Sequence, residues 1–238
     1  MAKNKEHKSA ELLEEPVQKV KESTKAESSF DFESFFDKNK KLLYGVLGVI
    51  VVGIVGVVGY QYFATSQDEE AQREMYIAVN YFERDSFDLA LKGDKVNRGF
   101  LDISEEFSLS KAGNLSNFYI GVIYLKKGKF EDAVEYLKKF KAEDLLLQAR
   151  AYCLLGDAYV EQKDWDNAIS YYKKASDYHP NDYFTPRYLM KLGMAYELNK
   201  DYEGAAKAYN TIIEDYSKAQ EYNDARKYKA RAEELAQQ

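Results

Sequence analysis

The chain has 238 residues, 34 Lys and Arg against 40 Asp and Glu, a net charge of −6 and 15% aromatics. That is enough apolar material for one packed domain of ordinary size, and an acidic chain is a poor candidate for nucleic-acid binding. Its single cysteine, Cys153, excludes an intramolecular disulfide framework and, inside an apolar helical pattern, reads as a small buried side chain rather than a nucleophile.

Residues 1–37 read as a disordered tail. The first 29 are rich in Lys, Glu and Ser and cannot bury enough surface to offset chain entropy. Leu12, Leu13, Val17 and Val20 leave open a short docking segment as the sharper alternative. Phe30, Phe32, Phe35 and Phe36 are interleaved with Asp31, Glu33 and Asp37. Aromatics beside a membrane often sit at headgroup level, so an interfacial turn is expected there.

Residues 38–66 read as a transmembrane anchor. The uncharged run starts at Leu42 and ends at Phe63. As a helix it is ~33 Å long, enough for a hydrocarbon core of ~30 Å, with Tyr44, Tyr60 and Tyr62 placed for the interfacial belts. The rival is a cleaved signal peptide, whose apolar core is typically ~7–15 residues behind a short leader. A 41-residue leader and a longer run favour an uncleaved anchor. Lys38, Lys40 and Lys41 precede the run, and Asp68, Glu69 and Glu70 follow it. The positive-inside rule then puts the N-terminus in the cytoplasm and the rest beyond an inner (plasma) membrane, in the periplasm of a Gram-negative cell. Gly45, Gly48, Gly56 and Gly59 fall near one stripe but include no i,i+4 pair; a membrane-helix contact and ordinary glycine enrichment both fit.

Residues 67–110 read as a degenerate first helical hairpin. Met75, Ala78, Val79 and Phe82 have helical spacing. A second helix starts near Phe87 and is interrupted at Lys92-Gly93-Asp94-Lys95, an insertion near 92–99 expected to be a loop. Three better copies fill 111–217. Gly121, Tyr124, Phe130 and Ala133 recur as Gly156, Tyr159, Trp165 and Ala168, and again as Gly193, Tyr196, Tyr202 and Ala205; Ala78, Tyr81, Phe87 and Ala90 are the weak copy. A period of 35 and 37 residues marks a helical repeat. Its logic is close crossing of helix A and helix B, with Gly156 and Ala168 permitting the approach. Asp164 and Asp201 are natural N-caps for the B helices. The charged residues 218–238 read as a helix capping the open end.

The best copy, Tyr152, Leu155, Gly156, Tyr159, Ala168, Tyr172 and Pro180, resembles the tetratricopeptide repeat (TPR) family, whose pattern is W-x2-L-G-x2-Y…A-x3-F…P. The other two copies lack the first aromatic and the Pro. The resemblance implies an all-α, TPR-like solenoid of helical hairpins preceded by a single transmembrane helix.

Little points to chemistry. Only His7 and His179 exist, and no Cys/His cluster has metal spacing, no glycine loop cradles phosphate and no serine sits in a nucleophile elbow. The expectation is a non-enzyme without metal or cofactor. The informative surface is the inner lane of A helices. TPR domains that grip a C-terminal carboxylate carry basic or amide residues at the fifth and ninth positions, counting the glycine as eighth. Here those are Met75 and Val79, Phe118 and Val122, Cys153 and Asp157, Met190 and Met194, so the clamp is absent. An apolar protein-binding lane is expected instead, rimmed by Arg150, Arg187 and Lys191; filling of that lane by neighbouring helices is the alternative.

Tail, anchor and repeats together resemble the ancillary subunit family of the bacterial Sec translocon. The resemblance implies protein partners: the translocon, a membrane-anchored prolyl isomerase or secretory clients of the periplasmic chaperone network. Membrane lipid is the further partner of residues 42–63, nucleic acid is not expected, and homo-oligomers are compatible with the sequence. A structural adaptor for envelope assembly or cell division fits the same layout, as does an organelle import receptor with cytosolic repeats.

Overall fold

The computed structural model describes residues 32–142 and 144–238, and among these residues there are ten α-helices and no strand. The tail expectation for residues 1–31 lies outside the described residues. Two units meet at Gly59 and Tyr60.

Helix α1, Phe32–Glu83, crosses that boundary unbroken. Its apolar stretch is unlike a core helix, because its side chains are exposed and its five glycines have nothing within 4 Å of where a Cβ would stand. It is long and apolar enough to cross a membrane. Two expectations change. The backbone from Phe32 onward is helical rather than an interfacial turn. The anchor and the first A helix are one helix, because no glycine or proline separates Tyr60 from Glu83 and nothing breaks the hydrogen-bond ladder.

The second unit begins with residues 60–83 of α1 and continues through α2 (Phe87–Lys92), α3 (Phe100–Glu106), α4 (Lys111–Lys126), α5 (Phe130–Lys139), α6 (Leu147–Glu161), α7 (Trp165–Asp177), α8 (Thr185–Leu198), α9 (Tyr202–Asp215) and α10 (Tyr222–Leu235). Successive helices from α2 to α10 pack against one another in sequence order. The signature aromatics Phe87, Phe130, Trp165 and Tyr202 are each the first residue of a B helix. Every A-to-B turn closes in one way. The N–H groups of Ser86, Lys129, Asp164 and Asp201 donate to the carbonyls of Tyr81, Tyr124, Tyr159 and Tyr196. The residue before each donor, Asp85, Gly128, Lys163 or Lys200, has positive φ, as Schellman-type helix ends require. Asp164 and Asp201 then cap α7 and α9 by accepting from Asn167 N and Gly204 N, as the turn sequences predict.

The glycines work differently from the expectation. A Cβ on Gly156 would stand 2.6 Å from the Tyr172 ring, one on Gly193 2.3 Å from the Tyr209 ring, and one on Gly121 2.5 Å from Leu137 Cγ. In each hairpin the missing side chain makes room for the bulky B-helix residue sixteen positions later. Ala133, Ala168 and Ala205 are fully buried beside these contacts, but it is the ring or the leucine that fills the glycine's space.

The first hairpin departs from this scheme because its B helix is split into α2 and α3. Loop 93–99 folds onto itself. Gly93 has φ +72°, and a Cβ on Gly99 would meet the Gly93 nitrogen at 2.3 Å. Asp94 accepts from the N–H groups of Val96 and Asn97, from the Asn97 side-chain amide and from the Tyr81 hydroxyl; these donors hold its carboxyl well below the usual carboxylate range. Arg98 bridges Glu74 and Glu106. At the other end, α10 buries only Ala225 and Ala232, as a terminal helix with one solvated face should.

Gly193→Ala is expected to cost ~1–3 kcal/mol of stability through overpacking, because fully buried Tyr209 has nowhere to move. Ala168→Leu should cost a similar amount. Thermal unfolding followed by circular dichroism measures both; an unchanged midpoint in either variant would contradict the packing described.

Candidate functional site

Three successive A helices, α4, α6 and α8, with Phe130 at the start of α5 and Tyr172 midway along α7, line a groove of about 420 Å3. Its walls are Leu125 and Lys126 from the end of α4, Phe130, then Leu154, Asp157, Val160 and Glu161 along one face of α6, with Tyr172 and Lys191 opposite. Residues 154, 157 and 161 share a face by the i, i+3, i+4 rule, which is why a single helix can line so much of it.

Its electrostatics close internally. The Tyr172 hydroxyl donates to Asp157 Oδ1 at 2.5 Å, and Lys191 Nζ donates to both Asp157 oxygens at 2.6 and 2.8 Å. Burial, then the Asp157 charge, pushes the Tyr172 phenol up. One repeat later the arrangement recurs: Tyr209 donates to Glu197 Oε1 at 3.2 Å, and Arg231 binds the other Glu197 oxygen. Each cation lies 34 residues beyond its acid, so each pair joins one hairpin to the next. In each pair the acid is the more buried partner and the cation is about half exposed, so solvent still screens the attraction; their larger effect is to leave the groove with little unpaired charge.

The lane residues anticipated from sequence divide into four groups. Asp157 and Lys191 are brought together in the groove. Phe118 and Met190, at 7% and 8% exposure, belong to the interior instead. Phe118 packs on Phe140 and Tyr119, and Met190 joins the core of α6 to α10. Neighbouring helices thus fill the lane at these two points, and neither side chain is available to a ligand. Met75, Val79 and Val122 are half-buried against the core. Met194 is 41% exposed, Arg150 is exposed, and Arg187 is tied to Glu221 and lies over the Tyr183 ring.

Leu125, Leu154, Val160 and Glu161 were not singled out by the sequence reading. They lie at −2, +4 and +5 from the repeat glycine, one step round the helix from the positions considered, and extending the face from Asp157 would have found them. A second groove, about 670 Å3, lies between α3 and α5 over α4. It is polar, and its Asn114 is already bonded in both directions to the Lys141 backbone.

Among the described residues, His, Cys, Asp and Glu nowhere gather in threes where a metal could sit. Cys153 is buried, and burial pushes its thiol up to about 12, so at neutral pH it carries almost no reactive thiolate.

Buried tyrosines set an alkaline limit. Burial raises Tyr172, Tyr188 (to about 12) and Tyr209 above the ordinary phenol value, which is ~10 in an unfolded chain. A group raised on folding contributes stability that is complete below its unfolded value and lost as pH rises through the folded one. The unfolding midpoint should therefore fall from about pH 10 upward, and phenolate absorbance of the folded protein should lag that of the denatured chain. A midpoint flat to pH 12 would contradict these burials.

A tetratricopeptide repeat family model matches residues 118–183 and 153–220. No curated protein matches the chain. Among solved structures, the crystal structure of MamA protein superposes with a TM-score of 0.53 at 20% identity, covering 71% of this chain and 89% of that one. That likeness speaks for the fold alone. The chain carries tetratricopeptide repeats, stacked in order behind a helix able to span a membrane, and repeats of this kind suggest a protein–protein interaction scaffold.

Proposed function

We propose that this chain is a membrane-anchored scaffold that holds protein partners on the periplasmic side of an inner membrane, as a subunit of the translocon or of its chaperone network, and catalyses no reaction. The observation that carries the reading is the unbroken helix joining an exposed apolar run to the first hairpin of the repeats. The lysines before the run orient it by the positive-inside rule. The groove of α4, α6 and α8 takes the partner, by burial of apolar side chains around Leu125, Leu154 and Val160.

Burial of Phe118 and Met190 favours a second reading within the same class. A lane already filled at those points suits a fixed, folded partner better than a succession of unfolded clients. The protein is then a structural adaptor for envelope assembly or cell division.

A photo-crosslinker at Val160 or Met194 in the full-length membrane protein distinguishes these readings. Capture of translocon subunits or many secretory chains supports the first, and one stoichiometric folded partner supports the second. No crosslinked protein from either position, with the variants folded and in the membrane, would overturn the groove as the site of binding. Protease added to spheroplasts should digest the repeats and spare the N-terminus; the reverse would overturn the orientation.

A further inference from the structure

The groove of about 670 Å3 between α3 and α5, with α4 as its floor, owes its shape to one departure from the repeat. Leu101, Ser104 and Glu105 share a face of α3 by the i, i+3, i+4 rule and form one wall, continued at Ser108. Tyr136 and Lys139 of α5 form the other, and Asn114 and Asn117 of α4 lie between. Asn117 stands four residues before Gly121, where the next hairpin has Tyr152 four before Gly156. There the Tyr152 ring packs on Tyr171 at 6.4 Å between centroids and on Tyr178 at 5.9 Å. Tyr171 is the counterpart of Tyr136, fifteen residues after the glycine in both hairpins. A short amide in place of the ring leaves the matching space between α3 and α5 open and gives it a polar floor.

The lining is rich in hydrogen-bonding groups and poor in free charge. Lys139 donates to Glu135 at 2.6 Å, so among the described residues Glu105 is the charge in the groove that no opposite charge answers. Asn114 is bonded both ways to the Lys141 backbone and serves as wall. Ser104 donates to the Leu101 carbonyl and keeps its lone pairs. Asn117 donates one N–H to the Gly113 carbonyl at 3.2 Å and keeps its other N–H and its oxygen. Ser108 and the Tyr136 hydroxyl each bring a donor and an acceptor. Lys139 and Tyr124 flank the Tyr136 ring at 4.4 and 5.7 Å, so its contribution is the hydroxyl rather than a bare face.

We propose that this groove is a binding site for a short neutral oligosaccharide. Its volume falls within the ~300–1,000 Å3 of ligand sites. A sugar presents neighbouring hydroxyls that each donate and accept, which is what the serines, Asn117, Tyr136 and the acceptor Glu105 complement. Glu105 repels an anion, and a cation would gain only an exposed ion pair of little worth. A peptide takes its specificity from side-chain pockets, and Leu101 is the one aliphatic side chain here. The site shares no residue with the groove of α4, α6 and α8 and rests on neither the anchor nor its orientation.

The test is saturation-transfer NMR on the full-length protein in lipid nanodiscs, free of sugar-headed detergent. Maltotriose, tri-N-acetylchitotriose and trialanine are the separate probes. The expected result is transfer to the ring protons of at least one trisaccharide, reduced several-fold in Asn117→Tyr and in Glu105→Gln and unchanged in Glu203→Gln on α9. Asn117→Tyr restores the residue of the next hairpin, so its thermal midpoint should equal or exceed that of the wild type. Should it unfold, Glu105→Gln, at an exposed position, carries the comparison. No transfer to either trisaccharide, or transfer undiminished in the folded variants, would overturn the proposal. Transfer to trialanine alone would make the groove a peptide site and would equally overturn it.

Discussion

The unit depends on an interlock between a gap and a bulk: a glycine on the A helix of each of the last three hairpins faces a large B-helix side chain sixteen residues later. Tyr172 beside Gly156 and Tyr209 beside Gly193 each put ring atoms into the space a Cβ would occupy. The contact does more than seal a hairpin, because the hydroxyl at the far end of each ring is held by an acid, Asp157 or Glu197, and that acid is held by a cation of the following A helix or of the capping helix. Packing within one hairpin and stacking onto the next are therefore one linked system. Nearest-neighbour coupling of this kind lets a linear array unfold cooperatively. The 121–137 link is purely apolar, since Leu137 has no hydroxyl to pass on.

The same rule explains why the first hairpin can do without a glycine. Sixteen residues after Ala78 comes Asp94, and Asp94 is in the loop that splits the B helix. With no ring arriving, a methyl group fits, and Ala78 is fully buried. Tyr81 then bonds Asp94 directly at 2.7 Å, which fastens the loop to the A helix where packing cannot. Arg98, bridging Glu74 and Glu106, closes the other side. The insertion is a folded clasp that replaces the interlock, built from charge and hydrogen bonds rather than volume.

Much of this was legible in the residues. The Gly-Tyr-aromatic-Ala rhythm located every A-to-B turn, because helix ends obey local rules: a left-handed residue, an aspartate cap, an aromatic to start the next helix. The uncharged run was equally plain. Two things were less so. Continuity of α1 depends on the absence of any breaker between two segments that look like separate elements by composition, and absences are easily read as boundaries. The lane's residues depend on how much each helix rotates against the next. A step of one residue moves a side chain ~100° round the axis, enough to send Phe118 and Met190 inward while Leu154 and Glu161 face the groove. No single-chain pattern specifies that rotation.

The internal pairing of charge constrains what the groove can recognise. Asp157 and Lys191 neutralise each other, Arg187 is tied to Glu221 and Arg231 to Glu197, and Lys126 lies over the Phe87 ring. A ligand that competed for these cations would have to break contacts that stack the hairpins. Carboxylate capture of the clamp type would thus be coupled to loosening of the array and is disfavoured for the same reason that the array is stable. What remains for a partner is apolar area on Leu125, Leu154 and Val160, with exposed Glu161 at the margin. Binding there should depend weakly on salt, since few unpaired charges meet the partner, and specificity must come from the shape of the groove rather than from its charge.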